Sequence, residues 1–209
     1  MLDVILCVTC GGGALALIAG HWRDARVLQV VGKPVASAAF VALGIAHLHT
    51  GRAYGALVLV ALVLCLLGDA LLMVERLFVV GLASFLAAHL VLIAAFHSLS
   101  PTRSWPFVAA VPVLAASAAA ARWLSPRLGR RRLAVLAYIA VITVMVWGAL
   151  SVVIGGWAPA RVAAGAVLFY LSDLAVARER FVAHSFANRA VGLPLYYVGQ
   201  LLLASTTGL

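Results

Sequence analysis

The chain has 209 residues, of which 66% are hydrophobic and only 10% are charged, and its formal net charge is +9. Soluble domains carry about 25% charged residues, so this chain cannot cover a water-facing surface and we predict an integral membrane protein. The basic charge would suggest nucleic acid as the partner of a soluble protein, but here the arginines lie between apolar runs. They therefore indicate orientation in a membrane, and we expect no nucleic-acid partner.

The apolar runs predict an all-α fold, because backbone groups left unpaired in hydrocarbon are costly and helices pair them internally. Eight candidate transmembrane helices follow one another, and their short connections suit antiparallel neighbours. In chain order they cover residues 3–20, 28–48, 54–73, 77–97, 105–121, 133–154, 158–177 and 189–206. We expect a single membrane domain over residues 1–209, with the first run retained as a helix.

The arginines predict how these spans are oriented. Eleven of them lie in the connections after spans one, three, five and seven, whereas three lie on the other side. Because loops rich in basic residues stay in the cytoplasm, both termini are expected outside it. We expect a protein of a bacterial inner (plasma) membrane, in contact with membrane lipids.

One acidic motif occurs twice. Asp69 lies in span three and Asp173 in span seven, each preceded by a small residue and followed six and seven positions later by Glu-Arg. The two aspartates are 104 residues apart, which is half the chain. This shift suggests two parallel four-helix repeats, with halves 1–104 and 105–209.

The polar residues of several spans are expected at one depth. Alternating spans place Asp69 and Asp173 each about four residues, roughly 6 Å, from a cytoplasmic span end. Other polar side chains lie at that level or somewhat deeper and are candidates for substrate binding. These are Lys33, His89, Tyr196, Tyr197 and Gln200.

The two aspartates are the candidate catalytic pair. Ionisable residues inside a membrane are costly and usually functional. Two neighbouring carboxyl groups in apolar surroundings can share one proton near neutral pH, which provides an acid and a base in one site. Alternatively, Asp69 and Asp173 join helices as polar contacts, or pair with Lys33 and reach the interface.

The other candidates also have simpler interpretations. Lys33 could hold a lipid phosphate or tune an aspartate, or it could extend to the headgroups. His89 is more simply an interhelical contact than a ligand. Tyr196 and Tyr197 could be interface aromatics, although Gln200 one turn further suggests a site wall. No pair of histidines has metal-ligand spacing beside a carboxylate, so we predict no metal and no cofactor.

Five segments in this order resemble the YhhN family of membrane proteins, which includes the lysoplasmalogenases. The segments are Gly32-Lys33-Pro34, Leu67 to Leu72, Gly81 to His89, Leu171-Ser172-Asp173 and Tyr196 to Gln200. In one departure, Val91 and Leu92 stand where the family often has a tyrosine shortly after the histidine. The resemblance covers nearly the whole chain.

The resemblance implies an eight-helix hydrolase that cleaves the vinyl-ether bond of a lysolipid, lysoplasmalogen, to a fatty aldehyde and a glycerophospho-alcohol. Asp69 and Asp173 map onto the proposed catalytic pair. A vinyl ether hydrolyses through protonation of its β-carbon and capture of the oxocarbenium ion by water, which needs an acid and a nearby carboxylate. The alternatives are a proton-coupled transporter or lipid translocator that uses the same aspartates, and a structural protein.

Overall fold

In the described part of the chain, the structure is a bundle of eight α-helices joined by short connections. The computed structural model describes residues 1–49 and 51–209. Each predicted span is one helix, with ends that differ from the prediction by at most four residues, and the all-α membrane fold is confirmed. The helices are α1 Leu2–Trp22, α2 Arg26–His47, α3 Ala53–Leu72, α4 Phe78–Leu99, α5 Phe107–Leu124, α6 Arg132–Ile154, α7 Ala160–Phe181 and α8 Phe186–Ala204.

Seven of the described helices are long and apolar enough to cross a membrane, and α8 is not among them. Its polar residues lower its hydropathy, but the bundle covers them. Asn188, Tyr196, Tyr197 and Gln200 are all buried. Contacts of α8 with α1, α2, α3 and α7 explain how such a helix can be part of a membrane bundle.

Glycine pairs allow the closest helix contacts. The most extensive packing joins α1 to α2, α3 to α4, and α7 to α8. In each pair, a glycine of one helix lies against a glycine of the other, so that the backbones approach closely. The glycine pairs are Gly13 with Gly32, Gly68 with Gly81, and Gly165 with Gly199.

The other contacts close the bundle. Helix α6 packs on α4, α5 and α7, while α8 packs on α1 and α2. The contact of α4 with α6 and that of α8 with α2 involve helices that correspond under the 104-residue shift. The division into two parallel repeats remains a prediction.

The two ends of the bundle differ in charge. The connections α1–α2, α3–α4, α5–α6 and α7–α8 all lie at one end, which we call the arginine-rich end. Both chain termini lie at the opposite end, where Asp3 Oδ2 is 3.0 Å from His47 Nε2. There Tyr54 hydrogen-bonds Thr206 at 2.9 Å, and Thr207 donates to the Gly44 carbonyl at 2.7 Å. That the arginine-rich end faces the cytoplasm stays a prediction.

The two aspartates do not sit equally far from their helix ends. Helix α3 ends three residues after Asp69, close to the prediction. Helix α7, however, continues to Phe181, eight residues after Asp173. The extra turn is stable because Glu179 within it is bound by Arg189 at 3.0 Å and by the Ser185 amide at 2.9 Å.

We expect Gly32→Ala to destabilise the protein. A Cβ at residue 32 would lie 2.6 Å from the Gly13 carbonyl oxygen and 2.8 Å from the Leu17 nitrogen, both of them backbone atoms. Helices α1 and α2 would have to separate, which should lower the free energy of unfolding by about 1–3 kcal/mol. The neighbouring Lys33 would move with α2. A lower midpoint of thermal unfolding in detergent checks this. Gly12→Ala is the control, since a Cβ there meets nothing within 4 Å; equal midpoints for the two variants would contradict the prediction.

Candidate functional site

A cavity of about 520 Å³ opens in the arginine-rich half of the bundle. Its lining comes mainly from α2, α3, α4, α6, α7 and α8, together with His21 of α1 and Leu124 of α5. Both Asp69 and Asp173 line it, as do Lys33 and Tyr196. Ligand pockets commonly have volumes of about 300–1,000 Å³, so the two acids share a cavity large enough for a small ligand.

Asp69 is held by three donors. Lys33 Nζ lies 3.2 Å from its Oδ1, while the hydroxyls of Ser37 and Tyr196 donate to Oδ2 at 2.7 and 2.8 Å. The residue is only 4% exposed. These three contacts fix the orientation of the carboxyl group in the cavity wall.

Asp173 has fewer and longer contacts. Tyr138 donates to its Oδ2 at 3.3 Å, and His89 Nε2 lies 3.3 Å from the same oxygen. The approach of His89 is too bent for a hydrogen bond, so Nε2 is a buried nitrogen in close contact with a carboxyl oxygen. The other ring nitrogen, Nδ1, lies 2.7 Å from the Phe85 carbonyl oxygen, which identifies Nδ1 as the protonated one.

An aromatic group fills the space between the two acids. It consists of Phe85, Phe169 and Tyr196, whose ring centroids are 5.7 to 6.3 Å apart. Tyr196 bonds Asp69 at one end of the group, and His89 stacks on Phe169 at 4.3 Å at the other. These rings link the two polar clusters through packed aromatic contacts.

The rest of the cavity wall is mostly apolar, and part of it is exposed. Residues of α4, α6 and α7 supply this wall, among them Leu82, Leu86, Val135, Ile139, Ile142 and Val176. Val79 of α4 is 70% exposed and Val176 of α7 is 41% exposed, although both line the cavity. The cavity is therefore open to the surface beside the first turn of α4 and the last two turns of α7, where apolar side chains are exposed.

The structure places the predicted site residues in two groups. Lys33 and Tyr196 line the cavity beside Asp69. The other three do not line it. His89 lies behind Asp173 and contacts its carboxyl group, while Tyr197 and Gln200 are buried within the bundle, with 2% and 1% of their surface exposed. Substrate contacts of those three residues remain predictions.

Several residues of the site were not predicted. Ser37 could have been found, because it lies one helical turn after Lys33 and so on the same face of α2. Tyr138 is at a suitable depth, but nothing in its sequence context points to Asp173. Phe85 and Phe169 resemble any other core phenylalanine in the sequence.

Fold and site together define a polytopic, all-α membrane protein with a pair of acidic residues in an internal cavity. The family model described as the YhhN family matches residues 28–207. The chain therefore belongs to the YhhN family. No curated protein and no solved structure matches the chain significantly.

Proposed function

We propose that this protein is a lysoplasmalogenase-like hydrolase that cleaves the vinyl-ether bond of a lysolipid by acid–base catalysis. One observation carries the proposal: two aspartates with unequal partners line a single apolar cavity. Membership of the YhhN family is consistent with this activity. The inequality of the two acids assigns a role to each.

Asp69 is the proposed carboxylate base. Lys33 supplies a positive charge beside it, and Ser37 and Tyr196 supply two hydroxyl donors. A fixed negative charge beside the reacting carbon stabilises an oxocarbenium ion, and the same oxygens can accept a proton from the attacking water. In this role Lys33 positions the carboxylate.

Asp173, supported by His89, is the proposed acid. The contact of His89 Nδ1 with the Phe85 carbonyl fixes the ring, so that Nε2 lies 3.3 Å from the carboxyl oxygen of Asp173. Asp173 accepts one hydrogen bond, from Tyr138, whereas Asp69 has three donors. Asp173 is therefore the proposed member of the pair that carries the proton for the acid step.

The reaction then proceeds in three balanced steps. Asp173 transfers its proton to the β-carbon of the vinyl ether, and the ether oxygen stabilises the resulting oxocarbenium ion. Water adds to the cationic carbon and gives a proton to Asp69. The product of this addition is a hemiacetal. The hemiacetal then breaks its C–O bond to the glycerol: Asp69 returns its proton to the departing oxygen and the hemiacetal hydroxyl gives its proton to Asp173. This yields a fatty aldehyde and a glycerophospho-alcohol and restores both acids to their starting states. The division of roles resembles that of the two carboxyl groups in glycosidases.

Turnover in heavy water tests this proposal. Purified protein should release fatty aldehyde from lysoplasmalogen, and the aldehyde should carry one deuterium at C2, because the acid protonates that carbon. The saturated alkyl-ether analogue should not react, since it has no carbon that can accept the proton. Aldehyde incubated without protein corrects for spontaneous exchange. Absence of aldehyde would contradict the proposed hydrolase activity. Lipid flux in liposomes without chemical change would favour the alternative, a lipid translocator.

A further inference from the structure

The end of the cavity nearest the bundle surface carries an arginine cluster, which we define as Arg131, Arg180 and Arg189. The three residues come from separate elements: the turn before α6, the last helical turns of α7, and the first turn of α8. All three line the 520 Å³ cavity that holds the two aspartates. Apart from the polar residues around the two aspartates, most of the remaining lining is apolar, so a cationic mouth adjoins a mainly hydrocarbon wall.

Arg189 is already neutralised by its neighbours. Its guanidinium group lies 3.0 Å from Glu179 Oε1 and 3.0 Å from His21 Nδ1. Glu179 also accepts from the Asn188 side chain at 2.6 Å. This network joins α1, α7 and α8 and fixes one wall of the cavity mouth, but it leaves little net charge there.

Arg131 and Arg180 are different. In the described part of the chain, neither contacts a carboxylate, and both are exposed. Arg180 lies over the ring of Phe78, with 4.5 Å from its Cζ to the ring centroid, which orients the guanidinium group at the cavity mouth. Two positive groups without an anion thus face the end of an apolar cavity.

A second cavity of about 440 Å³ adjoins this mouth. It shares Phe78, Glu179, Arg180 and Arg189 with the larger cavity. Its wall also includes the exposed His184 and the backbone of the α7–α8 connection. The mouth therefore has room for a group larger than a single phosphate.

We infer that Arg131 and Arg180 bind the phosphate of a single-chain phospholipid whose hydrocarbon chain lies in the apolar end of the cavity. Guanidinium groups match phosphate oxygens in geometry and in charge. The inference rests on the proposed function and deepens it by assigning the residues that hold the phosphate, but it concerns binding and can be tested without turnover. Membrane anchoring explains Arg130 and Arg132, which do not line the cavity, but it does not explain why Arg131 does.

The test is binding to purified protein in detergent by two ligands with the same chain. One is a saturated alkyl lysophospholipid, which has the phosphate but no vinyl ether, and the other is the corresponding alkylglycerol without phosphate. Arg131→Gln and Arg180→Gln should each lower the affinity for the lysophospholipid about tenfold or more, which is the effect expected from losing a hydrogen bond to a charged group. Neither variant should change the affinity for the alkylglycerol.

Arg132→Gln is the matched control, because this arginine adjoins Arg131 but does not line the cavity. Equal weakening by Arg132→Gln, or equal losses for both ligands, would overturn the inference. Inorganic phosphate is the third probe: if it binds as tightly as the lysophospholipid, the site takes free phosphate rather than a lipid headgroup. Selective phospholipid binding without aldehyde release would contradict only the proposed hydrolase activity. Aldehyde release, together with normal phospholipid binding in both variants, would contradict only the proposed phosphate site.

Discussion

Asp173→Asn is expected to lower the rate of aldehyde release from lysoplasmalogen by about 10²–10⁴-fold, the usual contribution of a general acid. The asparagine amide cannot supply the proton that the β-carbon takes up. Its NH₂ group can still face His89 Nε2, so the packing around Phe169 should persist. The measurement is kcat at saturating substrate, with the unfolding midpoint recorded for the same sample.

Asp24→Asn is the matched control, since Asp24 lies exposed in the α1–α2 connection at the same end of the bundle. The variant should keep full activity, and asparagine tolerates the positive φ of 52° at that position. His89→Phe should preserve the stacking on Phe169 but remove the nitrogen beside Asp173. We expect its kcat to fall less than that of Asp173→Asn. Normal kcat in Asp173→Asn would end the assignment of Asp173 as the acid.

Asp69→Asn is expected to lower both activity and stability. The rate should fall by about 10²–10⁴-fold, because no carboxylate remains to accept the proton of water. The unfolding free energy should fall by about 1–3 kcal/mol, because Lys33 loses its anion while it is only 15% exposed. Activity and unfolding midpoint are measured together.

The double variant Lys33→Met with Asp69→Asn separates the two effects. Removing both charges leaves no unpaired ammonium group, so stability should return toward that of the unaltered protein. Activity should stay low, because the base is still absent. Recovery of both properties would show that Asp69 serves only to neutralise Lys33, and the proposed base would then be wrong.

The helices could be predicted from hydropathy, because backbone groups left unpaired in hydrocarbon are costly and a helix pairs them internally. Hydropathy was less informative at the ends of the helices, where charged residues take the place of apolar ones. Helix α7 shows the reason: Arg178, Glu179 and Arg180 resemble a loop in a hydropathy pattern. The contact of Glu179 with Arg189 of the next helix instead keeps them helical, and that contact is tertiary.

The acidic residues of the site could be predicted because a carboxyl group is conspicuous in an apolar run. Their partners could not be predicted equally well. Lys33 is the single lysine of the chain and stood out, whereas Tyr138 and Ser37 are common residues in membrane helices. Arg131 stands in a run of three arginines, and only the packing of α6 against α4 and α7 shows which of them lines the cavity.

The exposed apolar side chains of Val79 and Val176 at the cavity opening have a consequence for how the protein would meet its ligand. A molecule that enters between them from the leaflet would arrive by diffusion in two dimensions, without first dissolving in water. Occupancy would then follow the mole fraction of that lipid in the bilayer rather than its total amount in the sample. Under the proposed function, the aldehyde would return to the leaflet by the same route, while the water-soluble fragment would leave past the arginines.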